Sequence, residues 1–175
     1  MPAPTFTDGT VTHQADMQFL LAPAECSLRS VVATSFTSGS EQGPVPFALT
    51  DYDSGPSYDG AMHSNSTFNS RITITTPGRY DIAASLSFVA NATGKRNLNL
   101  RKNAFGTAGT GTLLQAMAWP STLTAVDFCT LEIFYPGAAL VANDVLELFV
   151  LQSSGGALTL ATAIPTTFRA RWVSP

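Results

Sequence analysis

The stretch from Gly78 to Ala90 constrains this chain more than any other, because Tyr80, Ile82, Ala84, Leu86 and Phe88 alternate with Asp81, Ala83, Ser85 and Ser87. A period of two puts one set on a buried face and the other on a face that is small and polar, which is the pattern of a half-buried strand. Pro77-Gly78 supplies a turn before it, and Thr67–Thr75, with Phe68, Ile72 and Ile74, reads as the preceding strand. Leu98 and Leu100 alternate with Asn97, Asn99 and Arg101, and a further strand runs through Leu113–Trp119 after the Gly/Thr-rich loop Gly106–Thr112. Thr167–Val173 closes the domain with Phe168, Ala170 and Trp172 against Arg169, Arg171 and Val173. No segment beyond the N-terminal one shows a helical period. Eight to ten strands in 175 residues predict one all-β sandwich.

Two segments break the alternation. Val126–Tyr135 and Asp144–Gln152 carry apolar residues on both parities: Leu146, Leu148 and Val150 on one face of the second, Val145, Phe149 and Leu151 on the other. A strand that is apolar on both faces has to be covered twice, and a second sheet covers only one. The other face is therefore expected to meet a partner chain or an extra layer.

Charged residues make up only 12% of the chain, against about 25% in an average soluble protein, so Ser, Thr and Asn provide much of the polar cover. A net charge of −3 with dispersed Lys and Arg gives no basic stripe for a nucleic acid. No apolar run approaches the roughly 20 residues that span a bilayer, and the opening Met-Pro-Ala-Pro lacks the regions of a secretory signal, so no membrane partner is expected. Cys26 and Cys129 form neither a disulfide framework nor metal-site spacing and read as two buried thiols.

Residues 1–24 differ from the rest, and the sandwich domain is expected over 25–175. Asp8-Gly9 marks a turn, and Thr12 is placed to cap a short helix over His13–Leu21 that shows Met17, Leu20 and Leu21 on one side. Together with Phe6, these apolar residues read as the anchor of an arm, a frayed tail being the alternative. Between Ser38 and Asp59 the chain reads as a loop with one short edge strand at Val45–Leu49.

Little here signals chemistry. His13 and His63 sit in no nucleophile motif, so no enzymatic activity is expected, and a small hydrolase would have to use His63. Asp51, Asp53 and Asp59 offer oxygen ligands but lack calcium-loop spacing, and turn chemistry explains them better. No cofactor or metal is expected. Tyr52, Asp53 and Tyr58, in the Asp51–Gly60 segment, are the residues expected to contact a receptor or a host cell-surface glycan.

The run Tyr58-Asp59-Gly60-Ala61-Met62-His63-Ser64, then Arg71-Ile72-Thr73-Ile74, Pro77-Gly78-Arg79-Tyr80 and Arg96–Asn103, resembles the tumour necrosis factor-like and complement-type globular jelly roll. It is similar in particular to versions carried by tailed bacteriophages of actinobacteria, where an opening like Pro4–Val11 and a short helix precede the jelly roll. Asn143–Leu148 and Phe168–Val173 fit the family's penultimate and last strands. The resemblance implies a sandwich of about ten antiparallel strands and a homotrimer whose inner sheets face the axis, with Phe128, Phe134, Phe149 and Leu151 beside it. It also implies a virion-surface role, as a capsid decoration or minor tail protein bound to the major capsid protein or to tail proteins. An adhesion module of the tail is the alternative.

Overall fold

The computed structural model describes residues 24–54, 61–120 and 128–175, together with the backbone of two short N-terminal strands. Those strands, β1 (Phe6–Thr7) and β2 (Thr10–Val11), pair with Phe6 opposite Val11 and Thr7 opposite Thr10, so the two residues between them are the Asp8-Gly9 read as a turn. The expected helix and its residues Met17, Leu20 and Leu21 lie outside the described residues, as does Tyr58.

Ten strands form two antiparallel sheets of five. The first contains β3 (Glu25–Ser30), β6 (Leu49–Ser54), β8 (Gly78–Phe88), β11 (Cys129–Leu140) and β14 (Thr166–Ser174), in the order β11-β8-β14-β3-β6. The second contains β5 (Glu41–Gln42), β7 (Arg71–Thr73), β9 (Lys95–Lys102), β10 (Thr112–Pro120) and β12 (Val145–Gln152); β10, β9 and β12 lie side by side, and β5 and β7 share the far edge of β12. A short pair, β4 (Ser35–Phe36) with β13 (Leu158–Thr159), lies outside both sheets. The chain crosses repeatedly between the sheets, as in a jelly roll, and no helix occurs among the described residues.

The period-two face of β8 delivers Tyr80, Ile82, Ala84, Leu86 and Phe88 to the space between the sheets, where they meet Leu28, Leu98, Leu100, Leu131, Ile133, Leu148 and Phe168. Full burial of each large apolar side chain contributes roughly 1.5–3 kcal/mol. Phe47 joins this core with its ring 5.7 Å from that of Phe168. The apolar run Val45–Phe47 is thus core filling outside any strand, and the edge strand expected there begins at Leu49 and runs to Ser54. β11 runs past the turn signal Pro136-Gly137, because the pairing with β8 slips between Tyr135 and Ala138. A bulge of this kind accommodates a proline that has no N–H to donate, and Gly137 adopts the left-handed φ of 65° there.

β12 corrects the strongest expectation drawn from the sequence. Leu146, Leu148 and Val150 enter the core, but Val145, Glu147 and Phe149 on the opposite face are also buried within a single protomer. The cover comes from the chain itself. The loop after β9 is fixed beside this face, with Asn103 N–H donating to the Val145 carbonyl and Gly106 N–H to Glu147 Oε2 (3.1 Å). From the other direction Gly43 comes so close that a Cβ on it would stand 3.3 Å from the Phe149 ring. Phe149 has no exposed surface, so it is not available to a trimer axis, and Leu151 is partly buried. A loop from the same chain is the extra layer.

Candidate interaction face

Cross-strand register places five side chains in one row over the outward face of the first sheet: Phe134 on β11, Ala83 on β8, Arg169 on β14, Ser27 on β3 and Tyr52 on β6. Strands lie about 4.8 Å apart, so the two aromatic ends are separated by roughly 19 Å. Phe134 is 61% exposed and Tyr52 49%, whereas Ala83 and Ser27 between them are small and half-buried. The next row, Glu132-Ser85-Thr167-Arg29-Leu49, has a short middle as well. Beside Phe134 the face sinks into a depression of about 380 Å³ lined by Ala83, Ser85, Glu132 and Thr167. Two aromatic rims, with small residues on either side of the half-exposed Arg169 between them, form a surface that another protein can seat on.

The charges on this face cancel. Arg29, Arg79, Arg169 and Arg171 stand against Glu25, Asp51, Asp81 and Glu132; Arg29 pairs with Asp51 at 3.0 Å, and Arg169 pairs with Glu25. Exposed pairs of this kind contribute about 0–1 kcal/mol each to stability, so their effect is mainly to leave a neutral face.

The adjoining edge of the sandwich is apolar. β10 runs nine residues, Thr112–Pro120, without a charge, pairs only with β9 among the described strands, and lies beside β11. Leu113 and Trp119 on β10, with Phe128 just before β11, are each a little under half exposed. Soluble proteins usually guard an edge strand with lysines, prolines or a cover, and this one carries only its terminal Pro120.

Other expected site residues have internal duties. Tyr52 and Asp53 lie on β6 and not in a loop, and both Asp53 carboxylate oxygens accept backbone N–H groups, from Met62 (3.0 Å) and His63 (3.1 Å). Asp53 therefore tethers the following segment and is not free to meet a receptor. His63 is buried, with Nδ1 2.8 Å from the Arg71 carbonyl. Among the described residues no group of three or more His, Cys, Asp or Glu is placed to hold a metal ion. The Gly/Thr-rich loop Gly106–Thr112 is tied down by Arg101 to the Thr110 carbonyl (3.1 Å), Thr110 Oγ1 to the Ala104 carbonyl (3.0 Å) and the Gly106–Glu147 bond.

The buried polar groups of the second sheet hold this arrangement. Burial would raise the Glu41 carboxyl, but two N–H groups of Arg101 (2.8 and 2.9 Å) and the Asn99 amide (2.7 Å) outweigh it and hold it below its ordinary value. Asp144 is lowered in the same way: burial opposes ionisation, and bonds from Val141 N–H (3.0 Å), Asn103 (2.8 Å) and Lys102 (3.3 Å) prevail. Cys26 and Cys129 are buried free thiols, both pushed up by desolvation. Arg96 is completely buried and donates to the carbonyls of Asn91 (3.0 Å) and Thr93 (2.6 Å). No sequence pattern marks Arg96 as a core residue, since its place depends on the 91–94 loop folding over it.

Comparison with solved structures settles the fold. The chain is similar to the Eiger TNF of S. frugiperda (TM-score 0.56, 12% identity, covering 88% of this chain and 95% of that one). It is also similar to murine APRIL (0.55, 12%, 86% and 98%) and to the globular domain of a zebrafish complement 1qA protein (0.51, 13%, 86% and 97%). The chain has the tumour necrosis factor-like jelly-roll fold. No protein-family model and no curated protein matches its sequence. In TNF-like terms the Phe134–Tyr52 face is the outward side of one of the two jelly-roll sheets, and the apolar β10–β11 edge is where the two sheets end together.

Proposed function

We propose that this TNF-like domain is a non-enzymatic structural protein that assembles as a homotrimer through the Phe134–Tyr52 face and the β10–β11 edge. In this reading it sits on the surface of a tailed-bacteriophage particle as a capsid decoration or minor tail protein. The observation that carries the assembly is the combination of an uncharged edge strand, paired only with β9 among the described strands, with a neutral face rimmed by exposed aromatics. Two unlike patches on one chain make a head-to-tail contact, and such a contact closes into a ring when its rotation allows. Phe134 and Phe128 remain interface residues here, joined by Trp119 and Leu113; burying the exposed half of each contributes about 1 kcal/mol per side chain. The virion role is supported by the resemblance of the sequence to actinophage proteins and by the low share of charge, and residues 1–24 are assigned to particle attachment.

Light scattering on the purified chain tests the assembly. The expected mass is three times 18.4 kDa, about 55 kDa. Phe134→Arg with Trp119→Arg should give the single-chain mass with an unchanged β circular-dichroism spectrum. A wild-type monomer at about 100 µM, where contacts of this kind hold together, or a double variant that stays trimeric, overturns it. Particle incorporation tests the rest: trimers lacking residues 1–22 are expected to fail to join particles, and normal occupancy would refute the assignment of attachment to that segment.

A further inference from the structure

On the flank formed by β7 and the segment that Asp53 tethers, the chain builds a second depression of about 320 Å³ around Phe68, Arg71, His63, Ser64 and Thr67. Phe68 is 64% exposed and holds a φ of 56°, in the left-handed region that a bulky residue normally avoids. Holding such a residue there costs on the order of 1–3 kcal/mol, and folding alone gives no return for displaying the ring to water. The ring is fixed in place. The Arg71 guanidinium stands 4.0 Å from its centroid and is held in turn by buried Glu147 at 3.7 Å. With one ring face on Arg71 and the side chain still mostly exposed, the other face is open.

The polar wall has spare capacity. A carbonyl only accepts, so the 2.8 Å contact with the Arg71 carbonyl puts the proton of neutral His63 on Nδ1 and leaves Nε2 an acceptor. That Nε2 is buried without a hydrogen-bond partner among the described residues, whereas Arg71 Nε has the 3.7 Å ion pair with Glu147. Buried polar atoms in folded proteins are normally satisfied, so an orphaned acceptor beside an open ring indicates a site that something else completes. Ser64 and Thr67 add hydroxyls at the mouth, where Ser64 Oγ accepts the Thr67 N–H (3.1 Å).

The geometry points to a saccharide subsite: a pyranose stacks its C–H face on the open side of Phe68, while its hydroxyls meet Arg71, Ser64 and Thr67 and complete the His63 acceptor. A flat aromatic beside neutral hydroxyls and a charge-balanced guanidinium suits an uncharged sugar, because Glu147 already neutralises Arg71. Equatorial, gluco-configured rings expose the flattest C–H face and are the class assigned. This site stands independently of the assembly reading.

The test is protein-observed NMR of the full chain titrated with cellotetraose, and separately with chitotetraose, to about 10 mM, which occupies most of a millimolar site. Saturable shifts at Phe68, Arg71 and the His63 ring with at least one of the two sugars are expected. Phe68→Asn removes the ring but tolerates the left-handed backbone, and should weaken binding about tenfold without loss of fold. Phe68→Trp should retain it. The Phe134→Arg/Trp119→Arg variant should bind as the wild type does, which separates failure of this site from failure of assembly. No shift with either sugar, or equal binding by Phe68→Asn, would overturn the proposal.

Discussion

Phe149→Ala separates two accounts of β12 that the sequence alone leaves open. If the second apolar face of this strand is covered by its own chain, removing the ring opens a cavity inside one protomer. The side chain has no exposed surface and is pressed by Gly43, so the neighbouring backbone has little freedom to collapse into the gap. A Phe→Ala change at such a site costs about 4 kcal/mol. With a urea dependence of about 2 kcal/mol per molar for a domain of this size, the unfolding midpoint should fall by about 2 M. The assay is urea unfolding at two protein concentrations a factor of about ten apart, alongside light scattering in native buffer. An intraprotomer cavity lowers the midpoint equally at both concentrations and leaves the native mass unchanged. A variant within about 1 kcal/mol of wild type that loses its oligomers would instead place Phe149 in a subunit contact and refute the reasoning.

Two further outcomes follow from the same packing. Gly94 holds a φ of 75°, and a Cβ there would lie 1.9 Å from the Ser153 carbonyl oxygen, so Gly94→Ala should cost about 3 kcal/mol or more. Gly155→Ala, at a φ of 88° with open space around it, should cost only about 1 kcal/mol, and comparing the two thermal midpoints separates steric clash from backbone strain. Stability should also fall in acid. Glu41 and Asp144 are both held below their ordinary values of 4.5 and 3.8, so the folded state gains from their ionisation above those values and loses that gain as pH drops through the lower folded ones. Unfolding midpoints measured from pH 6 down to about 3 should decline chiefly below 4.5, and less so in Glu41→Gln. A flat profile would sink the assignment.

The strands were legible where a local rule sufficed. β8 and β14 fall within two residues of the spans their alternation predicts, because a half-buried strand writes its period into the sequence, and β10 and β12 fall as close to the spans expected of them. β11 was cut short at Pro136-Gly137, where turn chemistry and bulge chemistry use the same residues and only the pairing with β8 distinguishes them. Val45–Phe47 looked like a strand because it is apolar, yet its burial comes from the core it drops into and not from ladder bonds on both sides. Phe149 was misplaced for a related reason. Periodicity shows that a face must be covered, but not whether the cover lies within the chain, and here it includes a glycine-rich loop whose own sequence suggests only mobility. Phe134 and Phe128, which the resemblance sets beside the axis, are exposed, whereas the Phe68 depression gave no local signal, since it depends on left-handed backbone and on a histidine paired to the Arg71 carbonyl.

The two cysteines carry a consequence for where such a domain can work. Both thiols are enclosed, both are shifted toward the protonated form, and neither is bridged. A protonated, inaccessible thiol is neither a nucleophile nor a ready target for oxidation. No disulfide has to be made or kept at these positions, so the fold of the described residues needs neither an oxidising nor a reducing compartment. Passage between reducing and oxidising surroundings therefore leaves the two thiols enclosed in the jelly roll as they are.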